Sequence, residues 1–347
     1  MIRVSSPECS QRKAIMRIGA LAGGVGLLLV TMLIAISIGP IFTPPSQTID
    51  ALTSLVSGDG GASEALITQI RLPRVLVAAL VGGALSVAGA AMQAIFRNPL
   101  AEPGITGVAS GAATFAVLAI ITGLARVHPL LLPGGAFIGA LLATLIVQLA
   151  GGRRLGTSHA TLLLVGIALN SFLGGLIGAM IANAPDAEDA RSAAFWLNGD
   201  LAGRTMDDVK IILLPIVIGT AVVMVHAREL NLLSLGEATA QSSGVPVKRV
   251  SHVVLAFAAL ATAGAVATTG VISFVGLVVP HMIRLVAGAN HRFLLPASFI
   301  FGGVFLIIAD TAARMLFNPV TLQTGVITAL IGAPFLLVLV LRSRNIS

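Results

Sequence analysis

The sequence predicts an all-α polytopic membrane protein with about ten transmembrane helices. Three observations predict it: the 347 residues are 56% hydrophobic, only 10% are charged, and the mean hydropathy is +1.00. Soluble domains carry roughly 25% charged residues. The apolar residues fall in blocks near the ~20 residues that a helix needs to cross about 30 Å of hydrocarbon. Strict barrel-type alternation is absent, so the spans are predicted to be helices, which satisfy their own backbone in lipid.

The ten predicted spans follow one another in a single transmembrane domain that takes in residues 1–347. A polar tail, 1–14, precedes the first apolar block, which is longer than a signal-peptide core and is predicted to be retained. The predicted spans are 15–39, 72–96, 104–124, 129–150, 158–182, 209–227, 250–270, 271–288, 293–316 and 322–341. The stretch 250–288 is barely long enough for two crossings, which leaves open whether the eighth helix starts inside the membrane.

The segment between the second and third spans is unusually polar for a membrane protein. It reads FRNPLAEPGITG and begins at residue 96. Pro99 and Pro103 stop helix continuation and remove two backbone donors, while Gly104 permits a tight re-entry. We therefore predict a turn held at a fixed depth on the inner side. It either only connects two helices or also gates a path.

The distribution of positive charge predicts the orientation. With the N-terminus inside, 14 of the 21 Lys and Arg residues fall on the inner side, whereas 10 of the 14 acids fall on the outer side, most of them in the predicted outer loop 183–208. Because positive residues favour the cytoplasm, both termini are predicted to be cytoplasmic. The net charge of +7 is thus a topology signal, and it does not point to nucleic acid as a partner.

A faint internal duplication accompanies this topology. ALSVAGA at 84–90 and ALATAGA at 259–265 agree at five of seven positions. The second and seventh spans, which carry these stretches, run in opposite directions in the predicted topology. Either the two halves are inverted repeats, which would place a substrate path along their interface, or the similarity arose by chance in helices rich in Ala and Gly.

Four separated stretches carry a more specific signal. They are RLPRVLVAALVGGALSVAGAAMQAIFRNPLAEPGITGVASGA (71–112), GVISFVGLVVPHMIRLVAGANHRFLLPAS (270–298), FLIIADTAAR (305–314) and GVITALIGAPFLLVLVL (325–341). In this order they closely resemble the permease subunits of ABC importers for ferric siderophores, haem and cobalamin. The resemblance runs from about residue 70 to the C-terminus and implies the type II importer permease fold. It also implies a homodimer, two cytoplasmic ATPase subunits and an extracytoplasmic substrate-binding protein.

The chain is expected to bind no ATP and no other cofactor itself. Its only lysines are Lys13, Lys210 and Lys248, and no Gly-rich loop ending in Lys-Ser or Lys-Thr occurs in the sequence. A phosphate-binding loop of that kind is therefore excluded. An energised transporter built on this chain must use the ATPase of a partner subunit.

The longest inner polar segment, 228–249, is the predicted contact surface for that ATPase. Within it, GEATAQSSGV is predicted to form two short helices around Gly244 and Pro246. The resemblance assigns the coupling element to five residues, with an ordinary connecting loop as the alternative. These residues are Gly236, Glu237, Ala238, Gly244 and Val245.

Three arginines on the outer side form the second predicted site. In the family, arginines matching Arg71, Arg74 and Arg314 receive glutamates from the two lobes of the binding protein, and bidentate pairing would supply orientation as well as attraction. The alternative for the first pair is an interfacial anchor. Asp310 lies four residues before Arg314 and is expected to neutralise it within the helix end.

The third predicted site is a cytoplasmic gate. The resemblance places Asn98 and Leu100 at this gate, with Thr157 and Ser158 opposite them. Small hydroxyl residues at such a constriction can let a bulky polar solute pass without holding it. A purely structural turn is the alternative reading of the same residues.

These features favour a permease that imports an iron chelate, a ferric siderophore or haem, across the bacterial cytoplasmic membrane. Cobalamin is the alternative substrate within the family. A different class, an ion-coupled secondary transporter, normally needs intramembrane carboxylates, and Asp310 is the only candidate. The six histidines are scattered without ligand spacing, and neither paired catalytic carboxylates nor a nucleophile triad is present, so we predict no metal site and no enzyme site.

Overall fold

The computed structural model describes residues 7–39, 42–57, 65–152, 159–317 and 320–343. The helices within these ranges are α1 (Pro7–Ser37), α2 (Pro45–Ser57), α3 (Leu72–Phe96), α4 (Val108–Ile121), α5 (Leu124–Val127), α6 (Leu131–Gly152), α7 (His159–Ala182), α8 (Ala187–Leu197), α9 (Met206–Val225), α10 (Ala227–Leu235), α11 (Glu237–Ser242), α12 (Val247–Thr269), α13 (Val275–Ala287), α14 (His291–Met315) and α15 (Thr324–Ser343). A π-helical turn, Leu66–Arg71, leads directly into α3, and a 3₁₀ turn, Pro103–Thr106, precedes α4.

The predicted all-α membrane fold is confirmed in the part of the chain that the structure describes. Seven helices are long and apolar enough to span a membrane: α1, the π turn with α3, α6, α7, α9, α12 and α14. Three shorter apolar helices, α4, α13 and α15, complete the order of ten predicted spans. The first helix begins earlier than expected, at Pro7, within the predicted polar tail.

Two helices of more than ten residues lie outside the spans and were not predicted. The helix α2 begins at Pro45, a residue that suits the first turn because its missing N–H would be unpaired there anyway. The helix α8 lies in the predicted outer loop and is capped by Asp186, whose side chain accepts from the amide of Asp189. Both sequences carry ordinary helix-start signals, but neither contains enough apolar residues to be found by a search for membrane spans.

The helix α3 lies at the centre of the molecule, where it packs against α9, α12, α13 and α14. The contact with α14 brings two backbones together, since a Cβ added to Gly82 would lie 2.2 Å from the carbonyl oxygen of Gly302. At Gly89 the same test gives 2.0 Å to the carbonyl oxygen of Gly276 in α13. Small residues permit this close approach, which drives helix association where lipid supplies no hydrophobic force.

The helices α1 and α7 are at the periphery, with large apolar side chains exposed. In α7 the exposed side chains include Leu164, Ile167 and Phe172, the last at 69%. An exposed apolar surface of this kind is compatible with lipid or with a second protein copy.

The boundary that the sequence left open is an interruption. The helix α12 ends at Thr269, Gly270 adopts φ +71°, and α13 begins only at Val275. With 13 residues, α13 is about 20 Å long, well short of about 30 Å of hydrocarbon. The eighth helix alone is therefore too short to cross the hydrocarbon.

Candidate functional site

The end of the bundle that the sequence predicts to be the outer one is organised around Asp310, which is 1% exposed. Arg74 from α3 makes a bidentate pair with it, through Nε at 2.9 Å from Oδ2 and Nη2 at 2.8 Å from Oδ1. Thr324 of α15 donates to Oδ1 at 2.9 Å, and Arg314 Nε lies 3.2 Å from Oδ2. One carboxylate thus joins α3, α14 and α15. The pairing with Arg314 was expected, whereas the closer pairing with Arg74 was not.

The other two predicted docking arginines bind the C-terminal end of α1. Arg71 is 6% exposed, and its Nη1 donates to Ile36 O at 2.8 Å and to Ser37 O at 3.3 Å. Arg314 Nη2 donates to Ala35 O at 3.3 Å. Cations suit this position because the last carbonyls of a helix lack internal partners and carry partial negative charge. The three arginines are therefore brought together at the outer end, but their guanidinium groups are engaged inside the chain.

Asp200 extends this cluster to the surface. Its Oδ1 accepts from the amides of Leu201 at 2.7 Å and Ala202 at 3.2 Å, and it lies 3.8 Å from Arg74 Nη2. The side chain is 34% exposed, against 14% for Arg74. Asp200 was not among the predicted site residues, and its contact across the fold has no local sequence signal.

The inner turn after α3 is built by Asn98. Arg97 ends the helix with a left-handed φ of +49°, and Asn98 Oδ1 then accepts from the amide of Leu100 at 2.9 Å. This turn, in which a side-chain oxygen mimics a backbone acceptor, fixes the direction of the chain. The predicted turn is thus present, with Asn98 and Leu100 half-buried. Thr157 and Ser158, the predicted opposite side of the gate, lie outside the described residues.

Two polar side chains hold the far end of this turn. Asn170 of α7 donates through Nδ2 to Gly104 O at 3.0 Å and to Ile105 O at 3.3 Å, and Ser110 Oγ donates to its Oδ1. Glu102 Oε2 accepts from the amide of Phe274 at 3.4 Å. Sequence reasoning missed Asn170, although an amide within an apolar span was a usable signal.

The predicted ATPase-coupling segment is divided at two glycines, of which one was expected. One break falls at Gly236, between α10 and α11, and the expected one is a turn at Gly244, between α11 and α12. Gly236 has φ 128° and ψ 150°, a conformation open essentially to glycine alone. The predicted break at Gly244 and Pro246 is present, because α11 ends before Gly244, whose φ is +81°, and α12 begins directly after Pro246. The additional break at Gly236 was not predicted, and the helix after Pro246 is the long α12 rather than a short one.

The same segment has a buried and an exposed side. Leu230 and Leu233 of α10 are buried at 0% and 1%, whereas Leu235 is 71% exposed. A Cβ added to Gly236 would lie 3.9 Å from Arg97 Nη1, so the coupling segment and the inner turn are neighbours.

The coupling segment is also tied to α14. Asn231 Oδ1 accepts from the backbone amide of His291 at 2.8 Å and lies 2.9 Å from its Nδ1. Asn231 Nδ2 donates to Asn290 Oδ1 at 3.2 Å. These contacts fix α10 to the start of the helix whose other end carries Asp310. Another histidine, His281, packs edge-on against Phe335 with the ring centres 5.9 Å apart.

Comparison with known proteins gives a consistent result. The model of the FecCD transport family matches residues 27–342. The cobalamin import system permease protein BtuC of Halobacterium salinarum is 43% identical, with 87% of this chain and 80% of that protein covered. The hemin transport system permease protein HmuU of Yersinia pestis is 41% identical, with 80% and 83% covered. The ferric enterobactin transport system permease protein FepD of Escherichia coli is 37% identical, with 96% and 98% covered.

A solved structure agrees with these relatives. It is described as an inward-facing conformation of a metal-chelate type ABC transporter, and it is 30% identical to this chain with a TM-score of 0.83. The superposition covers 93% of this chain and 99% of that one.

Proposed function

This chain belongs to the FecCD transport family, and on that premise we propose that it is the permease subunit of an ATP-driven ABC importer. It moves an iron chelate, a ferric siderophore or haem, across the bacterial cytoplasmic membrane, with both termini on the cytoplasmic side. The observation that carries this proposal is the family match over residues 27–342, which begins within α1 and ends one residue before the end of α15.

The relatives support an iron chelate and also favour a second candidate. Relatives named for hemin and for ferric enterobactin are 41% and 37% identical. The relative named for cobalamin import is 43% identical, which makes cobalamin the second candidate substrate. All three would be delivered by an extracytoplasmic binding protein, and we propose that this partner selects among them.

Energy comes from two separate ATPase subunits on the cytoplasmic side. The contact element is the predicted one: Gly236, Glu237, Ala238, Gly244 and Val245. Two features of this segment support the role. Leu235 presents a large apolar side chain at its surface, and buried leucines of α10 anchor it to the bundle. Arg97 lies next to Gly236 and belongs to the inner turn, so it would transmit movement of the coupling element to that turn. There Asn98 and Leu100 would form one side of the gate.

The binding protein would dock over the outer cluster of Arg71, Arg74 and Arg314. A partner glutamate that pairs with Arg74 must share or replace the contact with Asp310, and Asp200 lies at the exposed edge where this exchange would begin. Docking is therefore expected to loosen the outer end of the bundle. A homodimer would bury the exposed apolar residues of α7 against a second copy.

Reconstitution in proteoliposomes tests the proposal. The chain is assembled with its ATPase and binding protein, and uptake of radiolabelled ferric siderophore, haem and cobalamin is measured in parallel vesicles. We expect one of these ligands to be taken up, and we expect this uptake to require ATP on the side of the membrane where the ATPase is bound. Uptake without the ATPase, driven by a proton or sodium gradient, would overturn the proposal in favour of a secondary transporter.

A further inference from the structure

Two interruptions of the helical bundle occupy corresponding places in the two halves of the chain. One precedes the third span, α4, and the other precedes the eighth span, α13. The two helices have 14 and 13 residues, so each is about 20 Å long and cannot cross about 30 Å of hydrocarbon alone. Both irregular segments therefore enter the membrane, where non-helical backbone is tolerated only if protein groups satisfy it.

These two segments contact each other through Glu102. Its Oε2 accepts from the amide of Phe274, which is 172 positions away in sequence. A cavity of ≈ 40 Å³ lies beside the contact and is lined by Gly104, Thr262, Ser273 and further residues. Of the described residues lining this cavity, Glu102 alone carries a charge.

The start of α13 needs such a partner. Its N-cap residue is Phe274, which supplies no side-chain cap and adopts a left-handed φ of +69° that is unfavourable for an aromatic residue. The first amides of a helix lack internal acceptors, and together they carry partial positive charge. A carboxylate from another part of the fold supplies both an acceptor and a complementary charge.

Both sides of this contact are held by further contacts. Gln93 Nε2 in α3 donates to Gly276 O at 3.0 Å, which holds the first turn of α13 against α3. On the other side, Asn170 fixes the carbonyls of Gly104 and Ile105 to α7. Glu102 is thus placed between a turn fixed to α7 and a helix start fixed to α3.

We propose that Glu102 is a positioning residue that caps α13 from the opposite half of the chain and makes the inner turn and the α12–α13 interruption move as one unit during transport. The proposal rests on the proposed function for its transport readout. Its structural part, that Glu102 restrains the 270–274 segment, stands on the contacts alone.

Accessibility of Ser273 tests the structural part. The variant Cys9→Ser removes the only cysteine, and Ser273→Cys then reports on the interruption through its rate of reaction with a membrane-permeant maleimide, measured on the assembled transporter. Glu102→Gln keeps an acceptor and is expected to leave the rate unchanged. Glu102→Ala is expected to raise the labelling rate about fivefold, because the loss of one hydrogen bond shifts the local opening equilibrium by about that factor. Glu188→Ala, an exposed acid in α8, is the control and should change nothing.

Glu102→Asp keeps the test decisive if the alanine variant does not assemble. It retains the charge but is one methylene shorter, so its rate should lie between those of the glutamine and alanine variants. Equal rates in all variants would overturn the restraint.

The coupling of transport to ATP hydrolysis tests the functional part. Glu102→Ala is expected to bind the ATPase and to hydrolyse ATP as the wild type does, while substrate uptake per ATP hydrolysed falls severalfold; Glu102→Gln should restore the ratio. An unchanged ratio in the alanine variant would overturn the joint movement. If the wild-type chain did not import substrate with ATP, the proposed function would be overturned instead. The labelling experiment would then still test whether Glu102 restrains the 270–274 segment.

Discussion

Asp310 carries more of the outer structure than its position near a helix end suggests. Its carboxylate pairs with Arg74 and Arg314 and is almost fully buried. Removing one member of a buried ionic group leaves the others unpaired and typically costs 3–5 kcal/mol. We therefore expect Asp310→Ala to lower the free energy of unfolding by about 3–5 kcal/mol, measured in detergent with denaturant.

The control for this variant is an exposed ion pair in the same protein. Lys210 Nζ lies 2.8 Å from Asp207 Oδ1, with side chains 73% and 81% exposed. Exposed pairs of this kind contribute little. A comparable loss of stability in Asp207→Ala and Asp310→Ala would contradict the central role of Asp310.

Single residues also show where sequence reasoning succeeded and where it stopped. The turn at Asn98 could be predicted because prolines, a glycine and a side-chain acceptor act locally on a few neighbouring residues. Arg74 could be placed at the outer end, but its partner could not be found, because Asp310 is 236 positions away. The same holds for Glu102 and Phe274. Contacts between distant segments depend on how the helices pack. Helices this rich in small residues can pack against one another in many alternative registers, so the sequence does not select one.

At the scale of elements, the hinge between α10 and α11 depends on one glycine. Gly236 adopts φ 128° and ψ 150°, and a side chain there costs about 1–3 kcal/mol of backbone strain. Gly236→Ala is expected to redirect α11 and to reduce recovery of the ATPase when the two proteins are purified together. Gly26→Ala, in the exposed face of α1 with nothing within 4 Å of the added Cβ, is the matched control. Loss of ATPase in both variants, or in neither, would contradict the prediction.

Helices were predicted correctly where the length of an apolar block identifies them, and they were predicted poorly elsewhere. Each of the ten predicted spans coincides with an apolar helix, seven of them long enough to cross a membrane, because a membrane requires an apolar block for each crossing. The helices α2 and α8 were missed, since helices at the outer side need no such block. The sequence left the interruption before Val275 open, because the stretch 250–288 is barely long enough for two crossings and fits either a turn at the surface or one within the membrane.

For the whole molecule, the charge distribution predicts an orientation that can be measured directly. Because the predicted topology assigns 14 of the 21 Lys and Arg residues to the side that carries α10, that side is expected to face the cytoplasm. In a Cys9→Ser background, Ser234→Cys in α10 and Ser192→Cys in α8 place single exposed thiols on opposite faces. A membrane-impermeant maleimide should label Ser192→Cys in intact spheroplasts and Ser234→Cys only after permeabilisation. The reverse pattern would place the coupling segment outside the cell, where no cytoplasmic ATPase could reach it, and would contradict both the orientation and the importer that depends on it.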